Sequence, residues 1–366
     1  MIKKYPFYVK VTVIMLGLVL FVYILLNLRE ILVPLTFALL LAILLNPLVI
    51  FLEKIRIPHV LSIVLAIIVT MIFIIGVTYF LIIEIKEISG DWPLFKQKFG
   101  MLFNKFQHFA RTDFGINTKK QNELINEAET NMKPVLASAM GSVFGGMAMV
   151  FLLPVYTFLF LYYKKLILNF LFEIFAEAEE KEIRVVLTQT KGAIQNYMLG
   201  ILLEALIVAS LNTSALLILG VPFAVLLGVL GAILNILPFI GGILAVLFPI
   251  LVATATKDGF STQLWVIVAY IVIQFVDNHF LVPYIVASRV KINALVSIVI
   301  VLLGGALWGI SGMFLSIPVL GVLKIIFDRL PEMKPWGILI GQEVPTKRRG
   351  RIIPLRRKKK AVEELN

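Results

Sequence analysis

The stretch that decides the fold is Ala205–Thr256, ALIVASLNTSALLILGVPFAVLLGVLGAILNILPFIGGILAVLFPILVATAT, which has 52 residues and no formal charge. As one helix it would measure about 78 Å, more than twice the roughly 30 Å thickness of a bilayer's hydrocarbon core. The chain must therefore turn back within it. Gly220-Val-Pro222 and Pro238-Phe-Ile-Gly241-Gly242 are the places where it can turn. They leave two helices, Phe223–Leu237 and Ile243–Thr256, whose length predicts a re-entrant hairpin.

A second stretch later in the chain repeats this pattern. Ile292–Leu323 contains 32 uncharged residues, too many for one span and too few for two. Its middle is rich in glycine, and we expect these glycines to form the hinge of a second hairpin: Gly304, Gly305, Gly309 and Gly312. A proline follows each tip, at Pro249 and Pro318, and the span Leu264–Val276 separates the two hairpins. Paired broken segments of this kind indicate the binding site of a secondary transporter.

Outward from these hairpins the composition is that of a membrane protein. The chain has 366 residues, of which 60% are hydrophobic and 15% charged, whereas a soluble domain has about 25% charged residues. Uncharged runs at 11–28, 31–52, 60–83 and 134–163 predict further spans, and Asn46-Pro47 predicts a break in the second. We expect an all-α integral membrane protein with about eight membrane-embedded helical segments or pairs, including the two re-entrant hairpins. The alternating segments of a transmembrane β-barrel are absent from the sequence.

The alternation of apolar and charged blocks predicts six regions. They are N-terminal transmembrane helices at 1–83, an external helical subdomain at 84–138, a transmembrane helix at 139–163, a cytoplasmic helical connector at 164–197, a transport core with the two broken hairpins at 198–330, and a basic cytoplasmic tail at 331–366. In the second region Phe95, Phe99, Leu102, Phe106 and Phe109 share one helical face. This face fits either a subdomain that packs on itself or a helix lying on the membrane surface.

Charge predicts the orientation and some of the partners. Basic residues before the first span, after the second and after the fourth fall on one side, which the positive-inside rule makes cytoplasmic, together with both termini. The net charge is +12, and the segment Gly341–Asn366 holds nine Lys/Arg against three Glu. A basic tail after membrane spans favours anionic lipid over nucleic acid as its partner. The chain has no cysteine, and its three histidines lack metal-ligand spacing, so we expect no metal and no cofactor.

Polar residues inside apolar segments are the candidates for a solute or ion pathway, because they are costly in lipid. Glu204 fits a proton or cation site, or a carboxylate hydrogen-bonded for packing to Asn196, Gln195 or another helix. Asp277 and Asn278 end the apolar run before them, so an interfacial cap is the alternative to a transport role. Two further asparagines could bind a polyol or bond across helices, Asn212 and Asn235.

The turn Pro238–Gly242 is the strongest candidate for the solute or ion site. Proline frees backbone carbonyl groups and glycine lets the chain turn, so backbone dipoles can face a solute within the membrane. The pathway residues here are Pro238, Gly241 and Gly242. The alternative is a plain tight turn at the membrane surface.

Three classes of function fit a polytopic membrane protein: a secondary transporter, an embedded enzyme and a structural scaffold. The sequence has no paired catalytic acids, no His-Glu-x-x-His and no nucleophile with a base, so an enzyme is disfavoured. It also lacks the Gly-x-x-x-x-Gly-Lys-Ser/Thr loop, which disfavours pumping driven by ATP. The broken hairpins favour the transporter over the scaffold.

These motifs together resemble the AI-2E (autoinducer-2 exporter-like) family of bacterial membrane proteins over most of the chain, and most strongly from Asn196 to Leu323. The similarity lies in the order and spacing of four stretches: Gly220–Gly242 followed by Pro249, Gln274-Phe-Val-Asp277-Asn278 with Pro283, Gly304–Pro318, and Asn46-Pro47. One departure is Asn293-Ala294, where the family often has His-Pro, so a histidine-based role at that point is unsupported.

The resemblance implies a multi-pass protein of the bacterial cell membrane with re-entrant hairpins. It also implies a homo-oligomer, with a pentamer as one form. The expected function is export of a small polar solute such as autoinducer-2. The alternatives are sodium (lithium)/proton antiport, with a proton or sodium ion as partner, or a scaffold that transports nothing.

Overall fold

The computed structural model describes residues 6–90, 98, 100, 151–174, 180–237, 241–257, 259–286, 292–330 and 333–342. Every regular element within these ranges is a helix, which confirms the all-α fold. Six helices are long and apolar enough to cross a membrane, or seven if one bent pair forms a single span, and two shorter apolar helices accompany them. The chain is thus a multi-pass membrane protein. The number of segments embedded in the bilayer stays a prediction.

Three helices form the N-terminal region: α1 at Phe7–Asn27, α2 at Arg29–Lys54 and α3 at His59–Gly90. No residue of α1 is buried, so this helix presents nearly its whole surface to lipid or to another chain. The predicted break at Asn46-Pro47 is wrong, because α2 runs through Pro47 without interruption. Asn46 is buried and accepts a 2.8 Å hydrogen bond from Lys164 Nζ, so it joins α2 to a later helix instead of ending α2.

The next helices lead into the core. Helix α4 at Phe151–Tyr162 bends by 64° into α5 at Lys164–Ile174. Helix α6, Glu180–Ile218, has 39 residues and is about 58 Å long, so it extends well beyond a bilayer core. The predicted boundary between the cytoplasmic connector and the transport core, at residues 197 and 198, therefore lies inside this one helix. Most of the predicted external subdomain, and the predicted basic tail after residue 342, lie outside the described residues.

The first hairpin contains α7 at Ala224–Asn235 and α8 at Gly241–Thr256, close to the expected bounds. The turn before it has Gly220 at φ +63°, a conformation that glycine adopts without strain. Apolar residues of α6, α7, α8 and the following helix pack into one core that holds the hairpin in place: Leu216, Ala224, Leu227, Ala245, Val252 and Val266. The tip residues Pro238–Ile240 lie outside the described residues.

The helix after this hairpin corrects a second prediction. Helix α9, Ser261–Val276, continues directly into a π-helix at Asp277–Val286. Asp277 therefore lies inside a continuous helix and is only 2% exposed, so the alternative of an interfacial cap at Asp277 is wrong. Charge alone marked the end of the apolar run, whereas a buried carboxyl group inside a membrane helix faces the protein interior. π-helical turns are frequent at functional sites.

The second glycine-rich stretch folds back on itself. Helix α10, Ala294–Arg329, is interrupted at Trp308 and at Gly309, where Gly309 has φ +62°. A side chain on Gly312 would overlap the carbonyl oxygen of Gly304, so the two arms of α10 touch through their backbones. Ser316 Oγ donates to Ile300 O at 3.0 Å across the same contact. The hinge glycines thus form the turn and the close approach of a helical hairpin. Whether this hairpin re-enters the membrane stays a prediction.

The chain closes against the start of this hairpin. Helix α11, Lys334–Ile340, is followed by Gly341, which forms an isolated antiparallel bridge with Ile292. The Asn293 side chain accepts from Val296 N at 2.9 Å, and its amide donates to Leu339 O at 2.6 Å. Asn293 thus caps α10 and joins the end of α11 to it.

Candidate functional site

A cavity of about 830 Å³ lies between α6, the facing ends of α7 and α8, α9 with its π-helix, and α10. Pockets for small molecules measure about 300–1,000 Å³, so a small solute fits with room for water. Its walls are largely apolar and come from four helices, through Ile194, Ile201, Val246, Ile267, Ile271 and Ile317. The cavity is also lined where α11 meets α10, by Ile292, Ser297 and Gln342.

One polar cluster stands out on these walls. Asn235 Nδ2 donates to Asp277 Oδ2 at 2.9 Å, and Gln274 Nε2 donates to the same oxygen at 3.2 Å. Gln274 Nε2 also lies 3.4 Å from Asn278 Oδ1. All four side chains line the cavity. The structure thus brings together three predicted pathway residues, Asn235, Asp277 and Asn278, and adds Gln274.

Glu204 reaches the same cluster from α6. Its carboxyl group lies close enough to that of Asp277 for the two to interact, and both line the cavity. Of the partners considered for Glu204, the one observed is on a neighbouring helix, and it is acidic. Two carboxyl groups this close repel each other when both are ionised, which favours a state in which one of them carries a proton. The pair is therefore suited to hold a proton and to release it.

Local structure explains why these side chains meet. Asn235 is the last residue of α7, and Asp277 is the first residue of the π-helix, one turn beyond Gln274. Gly242, near the start of α8, leaves space for this group, since a Cβ there would lie 2.6 Å from Gln274 Oε1. A Cβ on Gly241 would instead overlap the carbonyl oxygen of Leu234. The glycine pair thus serves both the tight turn and the polar cluster.

A second, much smaller chamber of about 10 Å³ lies behind the cluster. Asn212 is buried and lines this chamber but not the large cavity, and its role in a solute or ion pathway stays a prediction. Three buried oxygens around the chamber have no hydrogen-bond partner among the described residues: Asn212 Oδ1, Tyr270 Oη and Asp277 Oδ1. A space of this size accommodates about one water molecule or a bare ion.

The remaining predicted residues lie elsewhere. Pro238 falls outside the described residues, so its predicted role stays untested. The hinge glycines of α10 do not line the cavity, to which this hairpin contributes Ile317, Pro318 and Gly321 instead. Sequence reasoning missed Gln274, Tyr270 and Tyr197 as lining residues. Their signal was available, since each is a polar side chain on an apolar helix.

Comparison with known proteins agrees with this architecture. The sequence profile of the AI-2E family transporters matches residues 12–332. YrrI of Bacillus subtilis (strain 168), provisionally named a transport protein, is 22% identical over 258 residues, which cover 69% of this chain and 72% of YrrI. PerM of Escherichia coli (strain K12), provisionally named a permease, is 27% identical over 278 residues, covering 69% and 74% of the two chains.

A third relative is the AI-2 transport protein TqsA of Escherichia coli (strain K12), 31% identical over 122 residues, 33% of this chain and 35% of TqsA. The names of these relatives describe transport and none describes an enzyme. With a profile match over most of its length, the chain belongs to the AI-2E family of membrane transporters.

Proposed function

We propose that this transporter exports a small, uncharged polar solute such as autoinducer-2 through the 830 Å³ cavity. The observation that supports this most is the cluster of Asn235, Gln274, Asp277 and Glu204 on an otherwise apolar wall. Amide and carboxyl groups offer both donors and acceptors, as a solute with several hydroxyl groups requires. The surrounding apolar side chains exclude water and make each of these hydrogen bonds more selective.

The similarity to TqsA supports autoinducer-2 as the solute to test first. The site carries no basic residue among its described lining side chains, which favours an uncharged solute over an anion. The discontinuous helices α7 and α8 end beside the cluster, as in transporters whose broken helices flank the substrate.

A second candidate function is sodium (lithium)/proton antiport, and the small chamber favours it. Three oxygens there have no hydrogen-bond partner in the part of the chain that the structure describes, and oxygen atoms suit a hard cation: Asn212 Oδ1, Tyr270 Oη and Asp277 Oδ1. The adjacent carboxyl pair of Glu204 and Asp277 would supply the proton that is exchanged.

Proteoliposomes with separately imposed gradients distinguish the two functions. Under export of an uncharged solute, an autoinducer-2 gradient alone drives autoinducer-2 flux. Under antiport, a sodium or lithium gradient moves protons when no autoinducer-2 is present. If neither flux exceeds that of empty liposomes, both proposals are wrong.

We also propose that the protein lies in the bacterial cell membrane with both termini in the cytoplasm and residues 84–138 outside. Single cysteines at Asn117 and Lys358 give an unambiguous readout because the native chain has no cysteine. A membrane-impermeant maleimide applied to intact cells should label the first and not the second. Labelling of Lys358→Cys alone would reverse the orientation.

The quaternary structure and the tail complete the proposal. The unburied helix α1 supports a homo-oligomer, for which the resemblance to the family implies a pentamer as one form. The nine basic residues of the tail support binding to anionic lipid. The mass of the purified protein, corrected for bound detergent, tests whether it is a homo-oligomer. A monomer in both detergent and nanodiscs would contradict it.

A further inference from the structure

The junction between α4 and α5 has features that the transport cavity does not use. The 64° bend turns α5 away from the direction in which α4 crosses the membrane. Two exposed tyrosines stand at the bend, Tyr162 and Tyr163, and their rings meet edge to face at 4.9 Å. Tyrosine is enriched where a membrane meets water, because its ring is apolar and its hydroxyl group forms hydrogen bonds with water and headgroups. The bend therefore fits the level of the lipid headgroups.

Helix α5 exposes two chemically different faces. Its apolar face consists of Leu166, Phe170 and Ile174, with Leu166 at 64% and Phe170 at 58% exposed within the described structure. A polar face of Lys165, Asn169 and Glu173 lies beside it, also exposed and with the same spacing of four. A helix with these two faces suits the membrane surface, where one face meets acyl chains and the other meets headgroups and water.

One side chain of α5 contacts α6. The Phe172 ring lies under the guanidinium of Arg184 on α6, 5.2 Å from centroid to carbon. This contact holds α5 against the N-terminal part of α6. Lys191, two turns further along α6, comes close enough to Lys164 for their charges to interact.

These lysines form a group with an excess of positive charge. Burial, and next the charge of Lys191, lower the pKa of Lys164, and Lys165 adds to the repulsion. Glu53 acts in the opposite sense, but its carboxylate is already in contact with His59. Lys164 Nζ donates a 2.8 Å hydrogen bond to Asn46 Oδ1. This acceptor carries no charge, so it offsets the repulsion only in part. A phosphate between Lys164 and Lys191 would turn this repulsion into attraction.

We propose that α5 lies in the membrane–water interface and that Lys164 and Lys191 bind the phosphate of an anionic phospholipid. The apolar face of α5 then covers the upper acyl chains, and Tyr162 and Tyr163 lie beside the headgroup. A lipid is favoured over free phosphate because the lysines adjoin an exposed apolar helix face, which the acyl chains of the same lipid would cover. Basic pockets beside membrane helices bind anionic headgroups in this way.

A local fluorescent reporter tests this without interference from the basic tail. Asn169→Cys, in a chain with no native cysteine, carries one fluorophore on the polar face of α5. The full-length labelled protein is placed in nanodiscs that contain quencher-labelled phosphatidylglycerol or phosphatidylcholine with identical acyl chains. We expect stronger quenching by phosphatidylglycerol at equal mole fraction.

Matched variants locate the effect. Lys164→Gln and Lys191→Gln should each raise the phosphatidylglycerol content needed for half-maximal quenching about fivefold. Lys164→Arg keeps the charge and should retain the preference, and Lys10→Gln, on exposed α1, should match the parent protein. Equal quenching by the two lipids, or an unchanged preference in both Gln variants, would overturn the proposal. Loss of the preference on addition of inorganic phosphate would assign the site to free phosphate instead.

Discussion

The side-chain amide of Asn235 donates a 2.9 Å hydrogen bond to Asp277 Oδ2, joining residues 42 positions apart in the sequence. Asn235 ends α7 and Asp277 begins the π-helix, so this bond ties the first hairpin to the helix behind it. Asp277 Oδ1, the other oxygen of this carboxyl group, borders the small chamber. The carboxyl group of Asp277 also lies beside that of Glu204. One residue therefore links the hairpin, the large cavity and the small chamber.

Gly241 and Gly242 should have different roles, the first in stability and the second in transport. Gly241→Ala places a methyl group against the Leu234 carbonyl, which is backbone and cannot rotate away, so we expect a loss of about 1–3 kcal/mol in stability. Gly242→Ala meets the flexible end of Gln274, so it should leave stability nearly unchanged and reduce transport by displacing that side chain. Thermal unfolding in detergent and flux in proteoliposomes measure the two effects. Equal stability of the two variants would contradict this division.

The second hairpin allows a graded test of its turn. Gly312→Ala should destabilise the protein most, because the added methyl group overlaps the Gly304 carbonyl. Gly309→Ala has open space around it but retains φ +62° with ψ −140°, a region that L-residues rarely adopt, at a cost of about 1–3 kcal/mol. Gly305→Ala is the control, since it meets only the flexible Met313 side chain. Melting temperatures should rise in that order, and a Gly312→Ala protein as stable as the Gly305→Ala protein would rule out the fold-back.

The carboxyl pair predicts how transport depends on pH if it is coupled to protons. Glu204→Gln and Asp277→Asn keep the shape and hydrogen-bonding capacity of the pair but cannot exchange a proton. Each should flatten the dependence of flux on pH, measured in proteoliposomes across a pH series. Glu30→Gln, an exposed acid at the start of α2, is the matched control and should keep the parent profile. If both neutral variants also keep it, export is not coupled to protons through this pair.

The sequence predicted the helical fold and the segments that contain both hairpins, because charge-free length and the Gly/Pro turns are local properties. The bounds of α7 and α8 differed from expectation by at most two residues. Two local rules failed. Pro47 did not end α2, and Asp277 did not end the helical segment, which continues from α9 into the π-helix. Contacts with other helices decide whether a proline or a carboxylate is tolerated inside a membrane helix.

The candidate site was only partly predictable. Glu204, Asn235 and Asp277 stood out as polar residues in apolar runs, but their pairing depends on which helices pack together. Gln274 lies within a stretch that resembles the family and carries the same signal as Asn235, a polar amide in an apolar segment, but it was not selected. Only the packing of the helices shows that it binds Asp277. The small chamber around Asn212 and Tyr270 is a product of packing alone.

Blocking the cavity tests most directly the central claim that the solute passes through it. Val246 lines the cavity on α8, and its neighbour Leu247 is exposed on the outer side of the same helix. Val246→Trp fills part of the cavity, whereas Leu247→Trp adds the same bulk outside it. Flux of autoinducer-2 into proteoliposomes should fall to the level of empty liposomes for Val246→Trp and stay at the parent level for Leu247→Trp. Parent-level flux in a folded Val246→Trp protein would contradict the account.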